Sequence, residues 1–241
     1  YPLRRQRQMC IRDRVSPWQN SISNEEVKEP DPDVQDPELV RRMRPSIIHV
    51  LGDAEECSRR LMGSGFVAAD DYVITNAHVV AGTQTVRLDT KVGLKDATVV
   101  YYNPDVDVAV LHSRDLGIDP LPWAQAPAQT GDDAMVMGFP HSGPFDAEMA
   151  RVRDRITISG PDIYSHGRVE RDSYTVRGKI QQGNSGGPLV NTAGEVLGVV
   201  FGASVDDSET GYALTADEVN AQIGDITQLT HPVDTGECVA H

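Results

Sequence analysis

The sequence predicts an all-β protein built as two β-barrels closed by a C-terminal helix, and three observations carry that expectation. Short apolar stretches separated by turn residues recur in two series. Between the series, Ile118-Asp119-Pro120-Leu121-Pro122-Trp123 breaks the rhythm and reads as the crossing from one barrel to the other. Near the end, Thr215-Ala216-Asp217-Glu218 is a capping box before Val219 and Ile223, the start of one closing helix.

Taken in order, residues 1–14 carry five arginines and match nothing downstream in composition or periodicity. They read as sequence of non-native, adapter-derived origin, excluded from fold reasoning as a fusion scar would be; a basic juxtamembrane arm is the alternative. Residues 15–43 are polar and acidic with four prolines, a solvated linker too poor in apolar surface to order itself, with a helical turn at 40–43 whose arginines face solvent. The first barrel is expected over 44–124, with strands at 45–51, 66–69, 72–75, 85–88, 97–102 and 106–111. The second is expected over 125–228, with strands at 134–137, 156–159, 174–176, 187–190, 196–203 and 212–214. Residues 229–241 form a tail.

Composition narrows the function. With 39% hydrophobic residues the chain can build a packed core, and a net charge of −14 argues against a binder of nucleic acid or of anionic membranes, which needs a basic face. No Walker, Rossmann or zinc-spacing motif is present, so neither metal nor cofactor is expected.

Chemistry concentrates in three places. Gly183-Asn184-Ser185-Gly186-Gly187-Pro188-Leu189 sets one hydroxyl in a glycine-rich turn. Glycine allows positive φ and close approach to a substrate, so the backbone amides of Gly183 and Ser185 can converge on one point, and Gly183, Asn184 and Ser185 are taken as the oxyanion hole. A serine hydroxyl is a poor nucleophile at neutral pH and needs a base held by a carboxylate. Tyr72-Val73-Ile74-Thr75-Asn76-Ala77-His78 is an apolar strand that runs out at a histidine, and Val106-Asp107-Val108-Ala109-Val110-Leu111 buries an acid among aliphatics. A buried carboxylate requires a partner, and His78 is the natural one. The other six histidines lack such a strand-end setting.

The order His78, Asp107, Ser185 with these flanks resembles the chymotrypsin-like (trypsin-like) serine peptidases. Gly63-Ser64-Gly65-Phe66, Gly138-Phe139-Pro140 and Ser159-Gly160-Pro161-Asp162-Ile163-Tyr164 add to the likeness, which runs from about residue 44 to the C-terminus. Gly198-Val199-Val200-Phe201-Gly202-Ala203 and Thr210-Gly211-Tyr212 are most similar to the MarP-type envelope proteases, with the HtrA-type proteases more distant. The resemblance implies two six-stranded antiparallel β-barrels with the site between them, and a serine endopeptidase that acts on protein or peptide substrates. It selects Asp107 over Asp105, which strand alternation does not separate; Asp105 follows Pro104 and reads as a turn residue. It also implies that Val200-Phe201-Gly202 pairs with substrate backbone, that Gly211 and Tyr212 wall the first specificity pocket, and that Lys179 lies near the bottom of that pocket unless it is an exposed loop residue.

Digestive-type members carry Asp where this chain has Asn184, and use it to pair with a freshly cut N-terminus. Asn cannot supply that charge, so activity is expected not to depend on a new terminus. Cys10 falls in the excluded stretch. Cys57 and Cys238 are spaced unlike a metal site, either as unlinked thiols or as a disulfide tying the tail to the first barrel in an oxidising compartment; relatives carry such a pair. By resemblance the full protein is a periplasmic, membrane-anchored protease, its anchor upstream of this sequence, that processes envelope proteins; a monomeric catalytic domain is expected because no heptad or other assembly signal stands out. An HtrA-type quality-control role, which usually comes with appended PDZ domains, and a catalytically silent sensing module are the alternatives.

Overall fold

The computed structural model describes residues 25–204 and 207–239. The reading of residues 1–14, and of the linker up to residue 24, lies outside them. Two closed barrels account for the strands. The first comprises β1 (Ile47–Ala54), β2 (Arg59–Ala69), β3 (Tyr72–Thr75), β4 (Thr85–Thr90), β5 (Gly93–Asn103) and β6 (Val108–His112), closed in the order β1-β2-β3-β6-β5-β4. The second comprises β7 (Asp133–Gly138), β8 (Asp146–Pro161), β9 (Arg168–Arg177), β10 (Pro188–Asn191), β11 (Val196–Ala203) and β12 (Thr210–Thr215), closed in the order β10-β11-β12-β9-β8-β7. Every pairing between these twelve strands is antiparallel.

Several strands run longer than their apolar segments. β2 and β8 extend into polar sequence because cross-strand pairing continues there, with Arg60 opposite Asp53 and Arg151 opposite Asp133. The barrels share a core in which Phe66, Ile74 and Val110 of the first meet Met135, Met137, Val199 and Leu214 of the second. The crossing stretch seals this seam. The amide of Leu121 donates to Val67 at 2.9 Å, and the amide of Ala124 donates to Val196 at 2.9 Å.

The linker reading is corrected over residues 25–43. Asp36 caps α1 (Pro37–Met43), accepting the Glu38 amide at 2.9 Å, and α1 buries Leu39 and Met43 in the shared core. Ahead of it, Gln35 donates to the Ala147 carbonyl at 2.7 Å and Arg177 to the Val27 carbonyl at 2.9 Å. Average composition concealed one apolar pair at helical spacing and a row of carbonyls for β-strand arginines to bond. Arg44 likewise leaves solvent, its guanidinium 5.0 Å from the Phe139 ring centroid and 4.7 Å from that of Phe145.

Half of the expected capping box forms at α3 (Ala216–Ile223): Thr215 accepts the Glu218 amide at 3.1 Å. The Glu218 carboxylate turns instead to the Asp172 amide at 3.0 Å, fastening the helix to β9. After α3 the tail runs over the first barrel. Val233 donates to the Val99 carbonyl at 2.9 Å, Gly82 donates to that of Thr235 at 2.9 Å, and Cys57 and Cys238 form a disulfide with Cα atoms 6.5 Å apart. That separation lies within the usual disulfide range.

Candidate active site

β3 ends at Thr75, and Asn76 leads into the single turn α2 (Ala77–Val80) carrying His78. Asp107 lies not inside a strand, as the sequence reading had it, but in the turn before β6, with φ of 71°. Asn103 shapes this turn: its side-chain oxygen accepts the Asp105 amide at 3.0 Å and its carbonyl accepts that of Asp107 at 3.1 Å. A left-handed residue is tolerated by aspartate at some cost, and such strain gathers at functional sites. Val106 and Val108 pack into the shared core on either side, so Asp107 is only 5% exposed.

The carboxylate grips the histidine at two points. Asp107 Oδ1 accepts the His78 amide at 2.9 Å, and Oδ2 lies 2.7 Å from His78 Nδ1. Asn76 closes the arrangement by donating its side-chain amide to the Asp107 carbonyl at 2.8 Å. A carboxylate at Nδ1 fixes the proton there and leaves Nε2 as the basic nitrogen. Burial alone would push the imidazole pKa down, but the charge and hydrogen bond of Asp107 outweigh it, and His78 stands above the ordinary value.

Ser185 sits between β9 and β10 in a loop folded on itself. The Asn184 amide donates to the Gln181 carbonyl at 3.0 Å, and the Gly187 amide to that of Asn184 at 2.9 Å. Gly183 at φ of 96° and Gly186 at φ of 84° make the turns, and a Cβ at either would overlap the carbonyl of Phe139 or of Ser64. Among the described residues the amides of Gly183 and Ser185 have no protein acceptor. Asn184 is corrected as an amide donor, since its N–H is already taken; Gly183 and Ser185 remain. His78, Gly183 and Ser185 line one cleft.

Two residues that sequence reasoning did not single out hold this arrangement. Ser64, on β2 and fully buried, donates its hydroxyl to the Gly183 carbonyl at 2.6 Å and accepts the Phe139 amide at 2.9 Å. Its own amide donates to the Ser185 carbonyl at 2.8 Å. The first barrel thus clasps the loop that the second carries. In the opposite direction Arg171, on β9 and 1% exposed, donates to the carbonyl of Asp105 and, at 3.0 Å, to that of Pro161. Burial lowers the Arg171 pKa, while Asp107 heads the charges that counter this.

The predicted substrate wall is partly revised. Val200 accepts the Gly186 amide at 2.8 Å and donates to the Gly187 carbonyl at 2.9 Å, so its backbone locks the Ser185 loop rather than offering its N–H to a substrate strand. Phe201 forms the irregularity in β11, beyond which Gly202 pairs with Tyr212 and Ala203 with Gly211. A Cβ on Gly211 would overlap Ile180, which therefore lies on that wall. Lys179 is exposed and borders a separate depression with Glu148, Arg177 and Glu209, not the bottom of a pocket beside Ser185. No three His, Cys, Asp or Glu side chains cluster as a metal site among the described residues, and no helix among them is long and apolar enough to cross a membrane.

Comparison with known proteins adds context to this geometry. The family described as "Trypsin-like peptidase domain" matches residues 63–199. Serine protease Rv3671c of Mycobacterium tuberculosis is 47% identical over 215 residues, covering 89% of this chain and 54% of the relative, so the chain spans about half that protein's length. The crystal structure of the same protease in its active form superposes with a TM-score of 0.88 at 45% identity, covering 94% of this chain and 99% of that one. Its inactive form gives a TM-score of 0.75 at 46% identity, covering 83% of this chain and 98% of that one.

Proposed function

Because the chain belongs to the trypsin-like peptidases, we propose that it is a serine endopeptidase in which Ser185, His78 and Asp107 act as one unit. The hydroxyl of Ser185 attacks the peptide carbonyl while His78 Nε2 takes its proton and then delivers it to the leaving amine. Asp107 accepts the Nδ1–H bond, stabilising the imidazolium without itself being protonated. The amides of Gly183 and Ser185 receive the oxyanion, a contribution of about 2.7–4 kcal/mol per donor in related chemistry. Water then releases the acyl group by the same steps in reverse.

One observation carries this reading: the amides of Gly183 and Ser185, without a protein acceptor among the described residues, belong to the cleft that also holds an aspartate-bound histidine. The greater likeness to the active than to the inactive form of the mycobacterial protease supports it. Fluorophosphonate labelling tests it. The chain should be labelled, and Ser185→Ala and His78→Ala should each abolish labelling; an unlabelled parent would sink the proposal. The likeness to envelope proteases supports processing of envelope proteins outside the cytoplasm by a membrane-anchored protein, whose catalytic domain we take as monomeric. The Cys57–Cys238 bond, which persists in oxidising compartments, supports that location.

A further inference from the structure

The cleft that holds His78 and Ser185 differs in charge from the rest of the molecule. The chain carries 36 Asp and Glu against 22 Lys and Arg, yet among the described residues no carboxylate lines this cleft, whereas Arg59, Arg60 and His141 do. Arg59 donates to the carbonyl of Val239 at 2.6 Å, a neutral partner, and forms no salt bridge among the described residues. Arg60, its side chain 82% exposed, lies 3.3 Å from Asp53, but Asp53 also takes Arg87 at 2.9 Å. Two guanidiniums, those of Arg60 and Arg87, therefore share one carboxylate. Glu55 and Glu56, on the turn between β1 and β2, are exposed and do not line the cleft.

Position gives this trough its meaning. None of Val200, Phe201, Gly202, Gly211 or Tyr212, the wall assigned to residues before the cleaved bond, lines it. The trough is therefore distinct from that wall, and the chain beyond the cleaved bond is the part of a substrate left to enter it. We propose that it binds an acidic stretch of substrate, with Asp or Glu among about the first three residues after the cleaved bond; an extended peptide advances about 3.3 Å per residue and brings these within reach. This inference rests on the endopeptidase reading. Guanidinium forks suit carboxylates geometrically. At physiological salt the screening length is about 8 Å, so the acidic body is damped at the trough while contact with the arginines is not.

Digestion of a peptide library by the full chain, with the residues after each cut read by mass spectrometry, tests the proposal. Asp and Glu should be enriched about fivefold over Lys and Arg at those positions, the scale expected of two partly exposed charges. The enrichment should vanish in Arg59→Gln/Arg60→Gln and reverse in Arg60→Glu, which alters a side chain with no bond to the tail, and it should shrink in 0.5 M salt, about a threefold shorter screening regime than dilute buffer. No enrichment in the parent, or one unchanged by both variants, overturns the trough alone. Absence of cuts together with absence of fluorophosphonate labelling overturns the endopeptidase reading beneath it, and the trough with it.

Discussion

At the scale of single residues, the two-point grip of Asp107 on His78 decides how the site titrates. The imidazole must be neutral to take a proton, and its pKa is raised, so the acid limb of the labelling rate should fall above the ordinary imidazole value of about 6.5. Asp107→Asn leaves burial, which lowers the pKa, and removes the charge and bond that raise it. The acid limb should then move down in pH, while the maximal rate falls by about four orders of magnitude because the wrong tautomer is held. A pH profile of labelling in both proteins checks this, and an unmoved limb would argue against the pairing. Ser64 makes a second prediction. Ser64→Ala leaves the Gly183 carbonyl and Phe139 amide without their partner in a buried place, a loss of about 1–3 kcal/mol. Labelling should slow about tenfold or more with Ser185 intact, and an unchanged rate would show that the clasp does not position the oxyanion amides. The strings around His78, Asp107 and Ser185 were legible because each local chemistry demands its neighbours. Ser64 was legible only as part of a family motif, since its partners, Phe139 and Gly183, lie far along the chain.

At the scale of elements, the strands and α3 follow from apolar periodicity and a capping threonine, and α1 does not. Its seven residues include two arginines and one glutamate, and it holds because Leu39 and Met43 find the turn at Gly194 and the shared core. Leu39→Ala should therefore destabilise the protein by about 2–4 kcal/mol, as a buried leucine does and a linker residue does not. Thermal unfolding measures the difference, and an unchanged Tm would return the segment to a linker. The turn that carries Asp107 shows the same limit. Local sequence accounts for the Asn103 bonds, but the clamp from Arg171 comes from the other barrel, and one arginine on an alternating strand carries no mark of that role.

Over the whole molecule, the site exists only where two separately closed barrels meet, and the tail fixes one edge of it. Cys57 and Cys238 enclose a separation of 181 residues, so on the chain-entropy account the bond stabilises by up to about 5 kcal/mol. Reduction should lower Tm and slow labelling together, since Cys238 and Val239 border the cleft; a lower Tm with unchanged labelling would confine the bond to stability. Asn184, buried beside the nucleophile, cannot answer a new terminal amine with charge. Chains that begin at different residues upstream of residue 25 should label at equal rates, and activity restricted to one of them would refute this.

The sequence by itself determined the two-barrel plan, the residues proposed to react and the glycines around them, because these depend on periodicity and on the chemistry of near neighbours. Tertiary structure alone decided that Val200 locks the loop, that Ile180 rather than Lys179 meets Gly211, that residues 25–43 pack down, and that arginines gather beside Ser185 in an acidic chain. Each of these rests on contact between segments far apart in the chain, where hydrogen bonding and packing are set by how the barrels close and not by any local pattern.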